Sequence, residues 1–130
     1  MKYKMICIDM DGTMLNDDKK ISERTVKAVQ EAAKKGVKVI ICTGRLFTSA
    51  THYANLLGTN VPVISANGAY IREKDRDEVI YKAVLGLGNC LEVLAVCRKH
   101  GINPNFHTPD TIFAENMNRS VRLYSNFNDS

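Results

Sequence analysis

Two carboxylates one residue apart close the first apolar run of the chain, in the string Met5-Ile6-Cys7-Ile8-Asp9-Met10-Asp11-Gly12-Thr13. Alternate residues of an extended chain point the same way, so Asp9 and Asp11 can share one small site. Two adjacent carboxylates repel each other, and a hard divalent cation such as Mg²⁺ relieves that repulsion. Gly12 lets the backbone turn tightly and brings amide groups near an anion. A plain surface turn uses the same residue types, so this string alone leaves both readings open. A second group, Cys42-Thr43-Gly44-Arg45, ends another apolar run. The Thr43 hydroxyl can bond a phosphate oxygen, and Gly44 permits close approach of the backbone. The helix expected to begin near Leu46 turns its positive end toward an anion. Arg45 offers a planar fork for phosphate or substrate oxygens. The plainer alternative is that Thr43 and Gly44 only start that helix.

The elements that must position these groups follow from apolar spacing and punctuation. Lys4 to Ile8 reads as a buried strand. Ser22 opens a helix with Val26, Val29 and Ala33 on one face and Gly36 just past its end. Val37 to Cys42 is almost continuously apolar, as in a strand covered on both faces. Phe47 to Leu57 reads as a second helix closed by Gly58, and Val61 to Ile64 as a third strand. Strand–helix–strand–helix–strand order predicts a parallel sheet with right-handed crossovers. Open α/β sheets bind ligands at the carboxyl edge, which is where both groups lie.

The rhythm changes at Asn67-Gly68. Ala69 to Arg72 and Val79 to Lys82 form a hairpin signal around a charge run, residues 73–78, read as its solvated tip. Leu91 to His100 reads as a helix ending at Gly101. Asn103 to Thr108 and Thr111 to Glu115 read as a strand pair turning at Pro109-Asp110, and the stretch from Asn116 onward is polar and poorly patterned. The hairpin near residue 69 marks the boundary between a parallel-sheet core and a second module.

Composition bounds the partners. One hundred and thirty residues, 45% hydrophobic and 25% charged, suit a single ordinary core rather than a disordered chain or a rod. The net charge of +4 is scattered, with no basic stripe interleaved with aromatics, so no nucleic acid is expected as a partner. No apolar run approaches the roughly 18 residues of a membrane span. The N-terminus carries no signal-peptide core, which makes the cytoplasm the expected compartment. Cys7, Cys42, Cys90 and Cys97 lack a CxxC spacing or a nearby His and are expected to be small buried hydrophobes.

The strand-borne Asp9-Met10-Asp11-Gly12-Thr13, followed by Thr43-Gly44-Arg45 at the end of the next strand, resembles the haloacid dehalogenase-like phosphohydrolases. Ser65-Ala66-Asn67-Gly68-Ala69, leading into a hairpin, is similar to the Cof-type branch, whose α/β cap is inserted after the third strand. The resemblance implies an α/β fold: an incomplete Rossmann-like parallel-sheet core over residues 1–82 and part of an inserted α/β cap over 83–130. It implies a Mg²⁺-dependent phosphohydrolase of small phosphorylated metabolites, sugar phosphates favoured. Asp9 would be the nucleophile that forms an aspartyl-phosphate, and Asp11 the general acid and base. Mg²⁺ would bind the Asp9 carboxylate and the Asp11 carbonyl, while Gly12, Thr43, Gly44, Arg45 and Asn67 would contact phosphate or substrate.

The same resemblance calls for a later Lys and further acidic metal ligands, which nothing from Ala83 to Ser130 supplies. Lys99, Asp110 and Asp129 are given no such role. The chain is therefore expected to be the N-terminal portion of a protein roughly twice as long, following usual domain sizes. A missing C-terminal half would complete the core, and the fragment alone would be inactive. A phosphomutase starts from the same aspartyl-phosphate and is the alternative. A receiver-like phospho-acceptor domain is a weaker one, because the third strand ends in Ser65-Ala66-Asn67 with no carboxylate.

Overall fold

The computed structural model describes residues 2–117 and 119–128. Strand β1 (Met5–Ile8) leads through a wide helical turn at Met10–Met14 to helix α1 (Glu23–Lys34), strand β2 (Lys38–Ile41), helix α2 (Phe47–Leu57) and strand β3 (Val63–Ser65). Strands β4 (Tyr70–Arg72) and β5 (Val79–Lys82) follow, then helix α3 (Leu87–Lys99), strands β6 (Asn105–His107) and β7 (Ile112–Ala114), and helix α4 (Arg119–Asn128).

β1 and β2 pair in parallel, Met5 opposite Lys38 through Ile8 opposite Ile41. The next residue of the second strand, Cys42, bridges in parallel to Ile64 of β3. The three strands thus lie side by side with their carboxyl ends at one edge, as the alternating pattern predicts. β3, β4 and β5 continue as an antiparallel meander, and β6 pairs antiparallel with β7.

Local chemistry sets the boundaries. The Ser22 hydroxyl accepts the Thr25 amide at 3.1 Å and caps α1, and Gly58 closes α2 with φ +66. Helices α1 and α2 pack on each other and on the sheet. Their apolar faces meet Val39, Ile41 and Val63, and the cluster extends to Met10, Met14 and Tyr70. Phe47 meets Tyr70 edge-on at 5.6 Å between ring centres.

Several expectations are corrected. β1 is not buried: Met5 is 52% and Ile6 42% exposed, because among the described residues its strand neighbour is β2 alone. Cys7 on that strand is exposed, and Cys42, Cys90 and Cys97 are half-buried rather than fully packed; all four are free. Helix α3 starts four residues earlier than its apolar spacing suggests, and the polar stretch after Asn116 contains α4, with Val121 buried. The charge run at the β4–β5 tip is not merely solvated. Lys74 reaches across to Asn55 on α2 at 3.0 Å, while Arg72 pairs with Asp77 at 3.0 Å. Asp129 lies outside the described residues.

Candidate active site

The residues singled out by type and spacing converge at the carboxyl ends of the first three strands. Asp9 leaves β1 in an extended conformation and precedes the turn Met10–Met14, whose closing bond runs from the Leu15 amide to the Met10 carbonyl at 2.9 Å. Gly12 sits in that turn at φ +77, a conformation that costs a residue with a Cβ about 1–2 kcal/mol. Met10, fully buried, pins the turn to the core between the two acids. Asp9 is exposed, and its Oδ2 accepts the Thr13 hydroxyl at 3.3 Å.

The second strand delivers Thr43, 4% exposed, whose Oγ1 accepts the Arg45 amide at 3.2 Å. That bond uses a lone pair and leaves the hydroxyl proton free to aim elsewhere. After the third strand the chain passes through two left-handed residues, Ala66 (φ +49) and Asn67 (φ +55), before Gly68 (φ +89). Such a backbone is unfavourable for Ala. It is held by the Ala66 amide on the Arg45 carbonyl (2.9 Å) and the Asn67 amide on the Thr43 carbonyl (3.1 Å). The result lays the Asn67 side chain against Gly44, where an added Cβ would stand 2.8 Å from Asn67 Oδ1. A Cβ at 44 would thus push the Asn67 amide aside, while glycine at 12 is demanded by backbone angle.

Asp9, Thr43, Gly44 and Asn67 line one open cleft of about 460 Å³ together with Cys7 and Cys42. Burial, with Cys7 and Asp9 nearby, pushes the Cys42 thiol pKa up, so it stays a protonated wall of the cleft rather than a nucleophile. Asp11 and Arg45 do not line that cleft. The Arg45 guanidinium, 2% exposed, donates Nε to Asp11 Oδ2 and Nη2 to Asp11 Oδ1, both at 2.9 Å. Lys19 adds its ammonium to Oδ1 at 3.0 Å. Arg45, seconded by Lys19 and opposed by desolvation, holds the Asp11 carboxyl below its ordinary value. The same pairing raises Arg45.

Two sequence expectations meet a different arrangement here. The fork of Arg45 is directed at Asp11 rather than into the cleft. The first amide of α2, at Phe47, donates to the Pro109 carbonyl at 2.8 Å instead of standing open to an anion. Residues that the sequence did not mark also belong to the site. Lys19 reads as one more scattered surface lysine, and Ser49 and Tyr53 read as ordinary positions of α2. Their only signal was helical spacing from Arg45, which places Ser49 one turn on and Tyr53 two turns on.

The donor chemistry fits a hard cation in part. Asp9 offers a carboxylate and the Asp11 backbone a carbonyl, and Mg²⁺ retains several waters while taking one or two carboxylates. Among the described residues no three His, Cys, Asp or Glu side chains gather as a metal cluster. Nor is any helix among them long and apolar enough to cross a membrane.

Known proteins resemble this chain in sequence and in fold. A 5-amino-6-(5-phospho-D-ribitylamino)uracil phosphatase of Bacillus subtilis is 47% identical over 68 residues, which is 52% of this chain and 27% of the relative. A haloacid dehalogenase-like hydrolase from Bacteroides thetaiotaomicron superposes with a TM-score of 0.86 at 25% identity, covering 98% of this chain and 49% of the other. A sugar phosphatase of subclass IIB in the same superfamily superposes with a TM-score of 0.76 at 29% identity, covering 96% and 49%. The chain spans about half the length, or less, of the relatives it matches. The family model of the haloacid dehalogenase-like hydrolases matches residues 6–130 of this chain. The chain belongs to the haloacid dehalogenase-like hydrolases.

Proposed function

We propose that this chain carries the nucleophile and phosphate-binding half of a Mg²⁺-dependent phosphatase acting on small phosphorylated metabolites in the cytoplasm, sugar phosphates favoured. One observation carries the reading: Asp9, Thr43, Gly44 and Asn67 line a single cleft at the carboxyl ends of three neighbouring parallel strands. Relatives named as phosphatases, with the sugar phosphatase among the structural neighbours, support the reading.

In this reading the Asp9 carboxylate attacks phosphorus, forming an acyl phosphate as the ester oxygen leaves, and water then cleaves that intermediate at phosphorus. Thr43 donates its hydroxyl to a phosphoryl oxygen, and the Gly44 backbone approaches closely because no Cβ intervenes. Asp11 gives a proton to the leaving oxygen and later takes one from the hydrolytic water. Arg45 and Lys19 keep Asp11 ionised, the form that a base needs. The negative charge of an incoming phosphate opposes those two cations and favours the protonated form that an acid needs. Mg²⁺, held by the Asp9 carboxylate and the Asp11 carbonyl, would neutralise phosphoryl charge when bound.

The remaining basic and acidic groups of the reaction belong to the other half of the protein, which also covers the open side of β1. Residues 1–82 are the core part and 83–130 the cap part of this division, and the chain alone does not turn over. The test is hydrolysis of a panel of sugar and nucleotide monophosphates by the complete protein, with and without Mg²⁺. Activity is expected only with the metal, and Asp9→Asn is expected to abolish it. Turnover surviving in Asp9→Asn overturns the nucleophile assignment. Release of phosphate, rather than its return to another position of the substrate, separates a phosphatase from a phosphomutase.

A further inference from the structure

The two acids of the β1 loop are treated very differently. Asp9 has one long bond, to Thr13, and faces the cleft. Both oxygens of Asp11 are engaged, Oδ2 by Arg45 Nε and Oδ1 by Arg45 Nη2 and Lys19 Nζ. Arg45 is itself fixed from α2. Its Nη1 donates to the Ser49 hydroxyl at 3.2 Å, and its guanidinium carbon stands 5.1 Å from the centre of the Tyr53 ring. An almost fully buried cation anchored on a helix has its direction set by the fold, before any substrate arrives. Two parallel N–H···O bonds from a planar fork fix the plane of a carboxylate as well as its position, which a lysine ammonium cannot do.

We propose that Arg45 is a positioning residue, acting on the reaction through Asp11 by fixing the plane and direction of its carboxylate, and not a ligand of the substrate phosphate. This rests on the assignment of Asp11 as acid and base. Lys19 is the lesser partner. It is 53% exposed, sits on a turn at φ +59 and touches one oxygen as a point charge. The Tyr53 hydroxyl, donating to the Lys19 carbonyl at 3.2 Å, ties that turn to the same helix that holds Arg45.

The test compares kinetics of the complete protein with a spectrum of this chain. Arg45→Lys keeps the charge and loses the fork. It is expected to lower kcat roughly 10- to 100-fold with KM within about twofold, as for a misplaced catalytic group. In an Asp11→Asn background the same change is expected to cost nothing more. Ser49→Ala, which loosens the fork and leaves both charges, is expected to lower kcat by about threefold and serves if Arg45→Lys does not fold. A raised KM at unchanged kcat, or losses that multiply in the double variant, overturns the proposal and makes Arg45 a substrate ligand. In ¹⁵N spectra of the chain, the Arg45 Nε–H signal is expected to shift in Asp11→Asn, and an unmoved signal also overturns it. Failure of the phosphatase reading has its own signature, an Asp9→Asn protein that still turns over.

Discussion

The block formed by β2, α2 and β3 and the outer segment α3–β6–β7 are built from similar proportions of apolar residues, yet they bury them differently. In the first, Val39, Ile41, Ala50, Tyr53, Leu57 and Val63 are all at or below 3% exposed. In the second, Leu87, Leu91, Val96, Ile102 and Phe113 are each more than half exposed. Helix α3 keeps its shape through backbone bonds and a pair from Arg98 to Glu115, the residue after β7, an exposed contact of the kind that contributes little. The cleft hangs from the packed block, so Thr43, Gly44 and Asn67 rest on a part of the molecule that already has its core. These groups are placed where packing is complete, whereas Asp9 and Cys7 enter the same cleft from the exposed strand β1.

The comparison breaks first at the centre of α2. Leu57→Ala is expected to cost about 2–5 kcal/mol, because a fully buried leucine leaves a cavity. Leu91→Ala on α3 is expected to stay within about 0.5 kcal/mol. Chemical denaturation of both variants checks this, and equal losses would show that the outer segment is packed as tightly as the block. Gly44→Ala is next, at about 0.5–1.5 kcal/mol, since its Cβ would stand 2.8 Å from the Asn67 amide oxygen and turn that side chain away from its present rotamer. Its melting temperature is expected to recover in part in the Gly44→Ala, Asn67→Gly pair.

The smallest effect is a pH limb. The folded-state pKa of Asp11 lies below its unfolded value, so its pairing stabilises the fold above the ordinary carboxylate range, about pH 3.9, and is lost as pH falls through the lower folded value. Asp11→Asn is expected to flatten that part of the acid denaturation curve and to leave the alkaline side alone.

What the sequence made legible is what local rules determine. Ser22, Gly36 and Gly58 punctuate the two crossover helices, and apolar runs mark the parallel strands, so the sheet edge and the order of Asp9, Thr43 and Asn67 along it follow from patterns a few residues wide. What stayed hidden depends on contacts distant in sequence. The Asp11–Arg45 fork joins two loops through a turn of the chain that no spacing rule reports. The left-handed pair Ala66-Asn67 is set by bonds to the carbonyls of Arg45 and Thr43, not by its own preferences. The exposure of β1 is not told by its own apolar run, which reads alike whether one neighbour or two flank it, but it follows from the expectation that a missing C-terminal half supplies the other neighbour. Helix α4 escaped because its only deeply buried position among those described is Val121.

The bond from the Phe47 amide to the Pro109 carbonyl has a consequence for how the two regions communicate. The carbonyl is the partial negative charge that the positive end of α2 would otherwise seek from solvent or from an anion. Seating of the β6–β7 turn therefore competes with any other acceptor for the Phe47 amide. One amide proton, that of Phe47, reports which of the two has won.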